Sequence, residues 1–174
     1  MLSAPFRATA TLAVLALVGS LDGCLAVSDG GETTNLEGET STVEGTGTIT
    51  SIVDGDTVRL EVDGVELRVR LIGIDTPEVH PELECWGDEA TAALEQLAPV
   101  GSRVQYSYDR DPRDPYDREL LYLTNTDGTF INLAMVENGD AEAVLFEPND
   151  AYWPELQAAQ REARGAGLGL WASC

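Results

Sequence analysis

Carboxylates and guanidinium groups recur in this chain at spacings suited to phosphate chemistry. One cluster is Asp54-Gly55-Asp56-Thr57, a second is Asp75-Thr76-Pro77-Glu78, and a third joins Arg70 to Arg118. Each has an ordinary reading by itself. Asp and Gly are common turn residues, Asp-Thr-Pro forms an Asx turn with proline fixing the backbone, and surface arginines mostly stay solvated. The combination is harder to dismiss. Carboxylates at a strand-to-turn junction are hard oxygen ligands, suited to Ca²⁺ or Mg²⁺ rather than zinc. Arginine presents a planar fork of donors that grips phosphate oxygens bidentately. A divalent ion, two arginines and a spare carboxylate are the parts needed for in-line attack of water on a phosphodiester.

These side chains need a frame. Thr48 to Val53, Thr57 to Val62 and Val65 to Ile72 alternate apolar and polar residues, separated by Asp54-Gly55 and Asp63-Gly64. Asp-Gly steps between alternating runs signal hairpins, so an antiparallel meander is expected. Asp88 to Ala98 reads as a helix with Ala90, Ala93, Leu94 and Leu97 on one stripe. Two further strands follow, Arg103 to Tyr108 and Glu119 to Thr124, then a short helix from Ile131 to Asn138 stopped by Gly139. An extended piece, Ala141 to Phe146, precedes a last helix from about Ala151 to Arg164. Five strands and three helices, strands first, make an α+β domain built on a small barrel. One geometric difficulty appears at once. Arg70 and Asp75 differ by an odd number, so a regular strand would send them to opposite faces, and only a bulge or strand end at Gly73 restores convergence.

The chain has 174 residues, enough for one ordinary domain, and its 43% hydrophobic content supports a packed core. Its charge is unusual: 31 acidic residues against 10 basic ones, every one of them arginine, give −21. Such a surface repels polyanions at low ionic strength, so bulk charge does not point to nucleic acid. It fits solubility in concentrated salt, where at about 1 M the screening length is only ~3 Å, and a halophilic source is expected. At the N-terminus, Arg7 precedes an apolar run from Ala8 to Val18, short for a bilayer span but right for a signal peptide. It leads into Leu21-Asp22-Gly23-Cys24, similar to a lipoprotein processing site with Cys24 as lipid acceptor, although Asp22 stands where a small neutral residue is usual. Plain cleavage and an uncleaved anchor are the alternatives, and all three export the domain. Ser28 to Glu44 is Gly, Ser, Thr and acid, too polar to offset its ordering entropy. The expected organisation is a signal segment over 1–23, an acidic tether over 24–44 and a folded domain over 45–174.

From Gly45 onward the chain resembles the staphylococcal nuclease family. The carrying motifs are IVDGDTVRL at 52–60, VRLIGIDTPE at 69–78 and PYDREL at 115–120, with EPND at 147–150 and GLGLW at 167–171 in support. The resemblance implies an OB-type, five-stranded antiparallel barrel with three helices. It implies one Ca²⁺ held by Asp56, Asp75 and the Thr76 carbonyl, with Asp54 behind them and Glu78 as general base. Arg70 and Arg118 would clamp the scissile phosphate, and Tyr116 and Phe146 would lie beside the substrate. The implied activity is extracellular endonucleolytic hydrolysis of DNA and RNA to 3′-phosphate ends, by a monomer secreted or held to the membrane only through a lipid on Cys24. The sequence departs from the family in places. The loop VHPELECWGD after Glu78 is acidic where the best-known member is lysine-rich, and Pro115 occupies a lysine position. Val144 and Phe146 fall on an aromatic pair, and Asp117 precedes Arg118 where glycine is common.

Two cysteines remain in the exported domain, Cys85 and Cys174. In an oxidising compartment an even pair is most simply a disulfide, stapling the last helix to the body and adding about 2–4 kcal/mol. His80 is expected on an exposed loop, and Trp86, Trp153 and Trp171 in helix packing. Two other functions compete with the enzyme: an OB barrel that binds nucleic acid without cutting it, and an acidic surface protein that binds calcium structurally. Intact Arg70, Arg118 and Glu78 favour the enzyme, because calcium storage needs no arginine clamp.

Overall fold

The computed structural model describes residues 44–174. The expected signal segment, the tether apart from Glu44, and Cys24 lie outside the described residues. Seven strands and four helices follow in order: β1 (Gly45–Ile52), β2 (Thr57–Val62), β3 (Val65–Leu71), β4 (Ile74–Asp75), α1 (Gly87–Leu97), β5 (Arg103–Ser107), β6 (Glu119–Asn125), α2 (Ile131–Glu137), β7 (Glu142–Ala143), α3 (Trp153–Ala166) and α4 (Leu170–Ser173).

Five strands close a barrel in the order β1-β2-β3-β6-β5. The expectation of an antiparallel barrel needs one correction: β3 and β6 run parallel, pairing Val69 with Glu119 and Leu71 with Leu121. Parity dictates this. Going round the ring, β1/β2, β2/β3, β1/β5 and β5/β6 are all antiparallel, and a closed ring with an odd number of strands cannot alternate at every seam. The remaining junction must be parallel. Inward side chains fill the interior, with Ile49, Leu60, Leu71, Leu121 and Leu123 fully buried. At about 25 cal/mol per Å² of apolar area, each such side chain contributes roughly 1.5–3 kcal/mol relative to exposure.

The two Asp-Gly steps do different things. Asp63 and Gly64 both have positive φ, 51° and 81°, in a two-residue loop closing Val62 against Val65, the hairpin geometry that Asp-Gly favours. Asp54-Gly55 instead lies inside a four-residue connection, residues 53–56. There the glycine is needed for space: a Cβ at Gly55 would come within 2.9 Å of the Thr76 side chain and 3.0 Å of Ala90 Cβ. This close approach lays the first acidic turn against the second.

The remaining elements fix the barrel end that carries the polar residues. β4 and β7 form a separate two-stranded sheet; the sequence pattern ends the third strand at Ile72 and gives no strand at β4. Asn132 on α2 is fully buried, donating to Ile72 O at 2.9 Å while its Oδ1 accepts the Leu123 N–H at 3.0 Å. Helix α3 starts two residues later than expected, with proline in its first turn, and ends at Gly167 in the left-handed conformation. The four-residue α4 was not anticipated. It brings Cys174 to Cys85, and the expected disulfide is present. His80 is exposed, and Trp86 and Trp153 pack against the core.

Gly73 gives a direct check on the bend between β3 and β4. Its φ is +80°, and an added Cβ would collide with Leu156 Cδ1. Gly73→Ala is expected to lose about 2–4 kcal/mol in denaturant unfolding, from left-handed backbone cost plus overpacking. Leu156→Ala, which leaves a cavity of its own, should make the added Gly73→Ala cost smaller. Equal costs in both backgrounds would mean that the collision does not matter.

Candidate active site

The bend at Gly73 resolves the Arg70–Asp75 difficulty. Strand β3 stops at Leu71 and the chain turns back through Gly73. Arg70 Nη1 donates to the carbonyls of Leu71 and Ile74 at 2.7 and 2.8 Å. Its Nη2 donates to Asp75 Oδ1 at 2.6 Å and lies 3.0 Å from Asp56 Oδ2. Strand register supplies Asp56: Thr57 pairs with Arg70, and the Leu71 N–H donates to Asp56 O at 2.8 Å. Arg70 and Asp56 are both buried, their side chains each 7% exposed, whereas Asp75 is 58% exposed.

Asp56 is tied into its surroundings on every side. Its Oδ2 accepts the Thr76 N–H at 2.9 Å and the Thr76 hydroxyl at 3.0 Å. Its Oδ1 accepts the Thr57 hydroxyl at 3.0 Å, and its N–H donates to Asp54 Oδ1 at 3.1 Å. Asp54 is therefore an Asx-turn partner beside Asp56. Glu78 is exposed, with its N–H donating to Glu84 Oε2 at 3.0 Å.

The electrostatics of this cluster are lopsided. Burial pushes the Asp56 carboxyl above its ordinary value, Arg70 pulls it back, and the charge of Asp54 raises it again. Asp75 is raised by desolvation, lowered in part by Arg70 and raised by Asp56. Glu78 is raised by partial desolvation and then by the charges of Asp54, Asp56 and Asp75. Three carboxylates, Asp56, Asp75 and Glu78, therefore share the guanidinium of Arg70, and the charge of Asp54 adds to the excess beside them. A hard divalent cation is the natural partner for that excess. Among the described residues no three acidic, histidine or cysteine side chains converge on one point. A cation here would rest on the Asp56/Asp75 pair, with its further ligands from backbone oxygen or water.

Arg70 also borders a cleft that holds the second guanidinium. A cavity of about 720 Å³ is lined by Arg70, Arg118 and Arg113, with Tyr116, Phe146 and Asn149 among its walls. Each of the two expected arginines lies against a ring: Arg70 at 5.4 Å from the Phe146 centroid, Arg118 at 5.8 Å from that of Tyr116. Such contacts stabilise a guanidinium by about 0.5–1 kcal/mol at exposed sites. Tyr116 is 72% exposed, leaving its ring open to a ligand.

Two features escaped the sequence reading. Asp114 holds Arg118: its Oδ2 accepts Arg118 Nε at 2.6 Å and its Oδ1 accepts the Arg118 N–H at 2.9 Å. Burial alone would raise the Asp114 carboxyl, but the bonds from Arg118 and the Tyr116 N–H outweigh it and hold it below the usual range. With Nε occupied, the two terminal nitrogens of Arg118 are left for the cleft. The clue was the spacing D-x-x-x-R, one residue upstream of the PYDREL motif. The other feature is Glu119, buried at a position next to Arg118, which binds Arg113 and accepts the Tyr108 hydroxyl at 3.0 Å; burial, with the Glu119 bond second, pushes Tyr108 up to about 12.

Comparison with known proteins agrees with the fold. A family model described as staphylococcal nuclease homologue matches residues 68–173. The thermonuclease of Staphylococcus intermedius is 38% identical over 123 residues, covering 69% of this chain and 72% of that protein. The thermonuclease of Staphylococcus hyicus is 30% identical over 125 residues, covering 70% and 73%. The SPbeta prophage-derived endonuclease YokF of Bacillus subtilis is 32% identical over 130 residues, covering 72% of this chain and 43% of that protein. The chain belongs to the staphylococcal nuclease family. The family-model match begins at Arg68, so Asp54 and Asp56 lie ahead of it and stand on their motif and geometry.

The carboxyl shifts fix a pH dependence. Asp56, Asp75 and Glu78 are all raised, so the folded chain keeps protons that the unfolded chain releases near pH ~4. The contribution of these three groups to stability falls as pH rises from there through the raised values. Asp114 is lowered and acts in the opposite sense at more acid pH. In chelator, the melting temperature is expected to fall from pH ~4 towards neutrality, and less steeply in Asp75→Asn. A melting temperature that climbs over that window would contradict this electrostatic picture.

Proposed function

We propose that this protein is a calcium-dependent nuclease that hydrolyses phosphodiester bonds within DNA and RNA and leaves 3′-phosphate ends. The observation that carries the proposal is the meeting of Arg70 with both Asp56 and Asp75, where Arg70 also lines a cleft shared with Arg118. Family membership supports it, and two relatives bear the name thermonuclease.

The donor chemistry fits one calcium ion. Asp56 and Asp75 would hold it through carboxylate oxygens, Thr76 through its backbone carbonyl, with Asp54 orienting Asp56 through the Asp56 N–H. When bound, calcium supplies positive charge where negative charge grows on the phosphoryl oxygens. The chain's own groups do the rest. Glu78 would take a proton from the water that attacks phosphorus, and as the P–O5′ bond breaks the leaving 5′-oxygen takes up a proton from solvent. The terminal nitrogens of Arg118, freed by the Asp114 bond to Nε, donate to a phosphate oxygen of the five-coordinate species. Arg70 spends three donors and an ion pair with Asp56 on the protein frame, so its fixed position supplies charge, and its Nε–H would donate to phosphate. Tyr116 and Phe146 border the nucleotide.

The same reading extends to location. The N-terminal apolar segment and Cys24 suit export to the cell surface, by a lipid anchor or by secretion, and the protein acts as a monomer. The −21 charge suits a halophilic setting, because molar salt shrinks the screening length to ~3 Å and removes distant repulsion from the substrate.

Plasmid and single-stranded DNA incubated with calcium or chelator, at low and molar salt, test the proposal. Cleavage should require calcium. Glu78→Gln should lower kcat about 10²–10⁴-fold and Arg118→Ala about 10²–10³-fold, while both retain calcium binding. Binding of DNA without cleavage under all these conditions would overturn the enzyme in favour of a binding module.

A further inference from the structure

The proposed chemistry leaves Glu84 without a role, yet Glu84 is the residue that meets the Glu78 backbone. The two close on each other twice. The Glu78 N–H donates to Glu84 Oε2 at 3.0 Å, and the Glu84 N–H donates to Glu78 O at 2.8 Å. Both residues are exposed, and an exposed pair of hydrogen bonds is too weak to hold a loop unaided.

The backbone just beyond Glu84 supplies the restraint. Cys85 is joined to Cys174, 89 residues away. Trp86 has φ 76°, a left-handed conformation that bulky side chains rarely adopt, and its indole N–H donates to the buried Asp140 carboxylate at 2.9 Å. Gly87 lies so close to Glu78 that a Cβ there would come within 2.7 Å of the Glu78 carbonyl oxygen. A strained residue persists only where its neighbours over-determine it, and here a disulfide, an indole bond and a close backbone contact do so. Three consecutive residues are clamped, and Glu84 immediately precedes them.

We infer that Glu84 is a positioning residue: presented by the Cys85–Gly87 clamp, its carboxylate holds the Glu78 N–H and so sets the direction in which the Glu78 side chain leaves the loop. The effect on rate rests on the reading of Glu78 as general base; the hold on the loop does not.

The test uses the full chain with Glu84→Ala and Glu84→Gln, each alone and combined with Glu78→Gln. Glutamine keeps an acceptor oxygen and loses the charge, so it separates positioning from electrostatics. Glu84→Ala is expected to lower kcat about tenfold with KM changed less than about twofold, since small misplacement of a reacting group costs rate rather than binding. Glu84→Gln should stay within about twofold of wild type. In the Glu78→Gln background Glu84→Ala should cost nothing further, because it acts through a group already removed. Independently of activity, exchange of the Glu78 amide hydrogen should quicken in Glu84→Ala and not in Glu84→Gln. Replacing both Cys85 and Cys174 by serine should quicken it too.

Three results overturn the inference: equal losses in the alanine and glutamine variants, a full alanine effect in the Glu78→Gln background, or unchanged amide exchange in Glu84→Ala. Wild-type kcat in Glu78→Gln would instead remove the general-base reading, and the exchange comparison would still decide whether Glu84 holds the loop.

Discussion

The site is organised around one buried ion pair. Arg70 and Asp56 meet at 3.0 Å with side chains 7% exposed, and removing one partner from such a pair typically costs about 3–5 kcal/mol because the other is left buried and unpaired. Neither charge relies on the other alone. Arg70 is also bound by two carbonyls and Asp75, and Asp56 by Thr76 and Thr57. The β2/β3 register that sets Thr57 opposite Arg70 therefore determines everything downstream. A slip by one residue would turn Arg70 to the other face of the strand and leave Asp56 without a cation. The Asp63-Gly64 hairpin pins that register, and the Gly73 bend adds Asp75.

Charge distribution reconciles a strongly acidic protein with a polyanionic substrate. Three arginines among the described residues line one cleft, each held by its own carboxylates: Arg70 by Asp56 and Asp75, Arg113 by Asp117 and Glu119, Arg118 by Asp114. The pairing aims these cations without adding net positive charge. A net charge of −21 offers a polyanion no long-range attraction, so the cleft arginines would act at short range. Molar salt would screen the remaining surface.

Much of this was legible in the sequence, because the barrel strands alternate cleanly and the acidic motifs stand at their ends. Asp54, Asp56, Arg70, Asp75 and Thr76 fall in one cluster as the motifs implied, and the Cys85–Cys174 bond is present. What stayed hidden needed three dimensions. The parallel β3/β6 seam follows from ring parity, which no local pattern carries. Strand β4 is two residues long and exists only because β7 pairs with it. Helix α4 is a single turn, below the length at which periodicity can be read. Asp114 and Glu84 looked like members of an acidic surface until hydrogen bonds singled them out, and Gly55 looked like a turn residue until Thr76 packed on it.

The most direct measurement of the central claim is a calorimetric calcium titration of wild type and Asp56→Asn, each checked for native circular dichroism. The account requires one ion per wild-type chain and an affinity at least about tenfold weaker in the variant. A folded Asp56→Asn chain binding one calcium as tightly as wild type would contradict it.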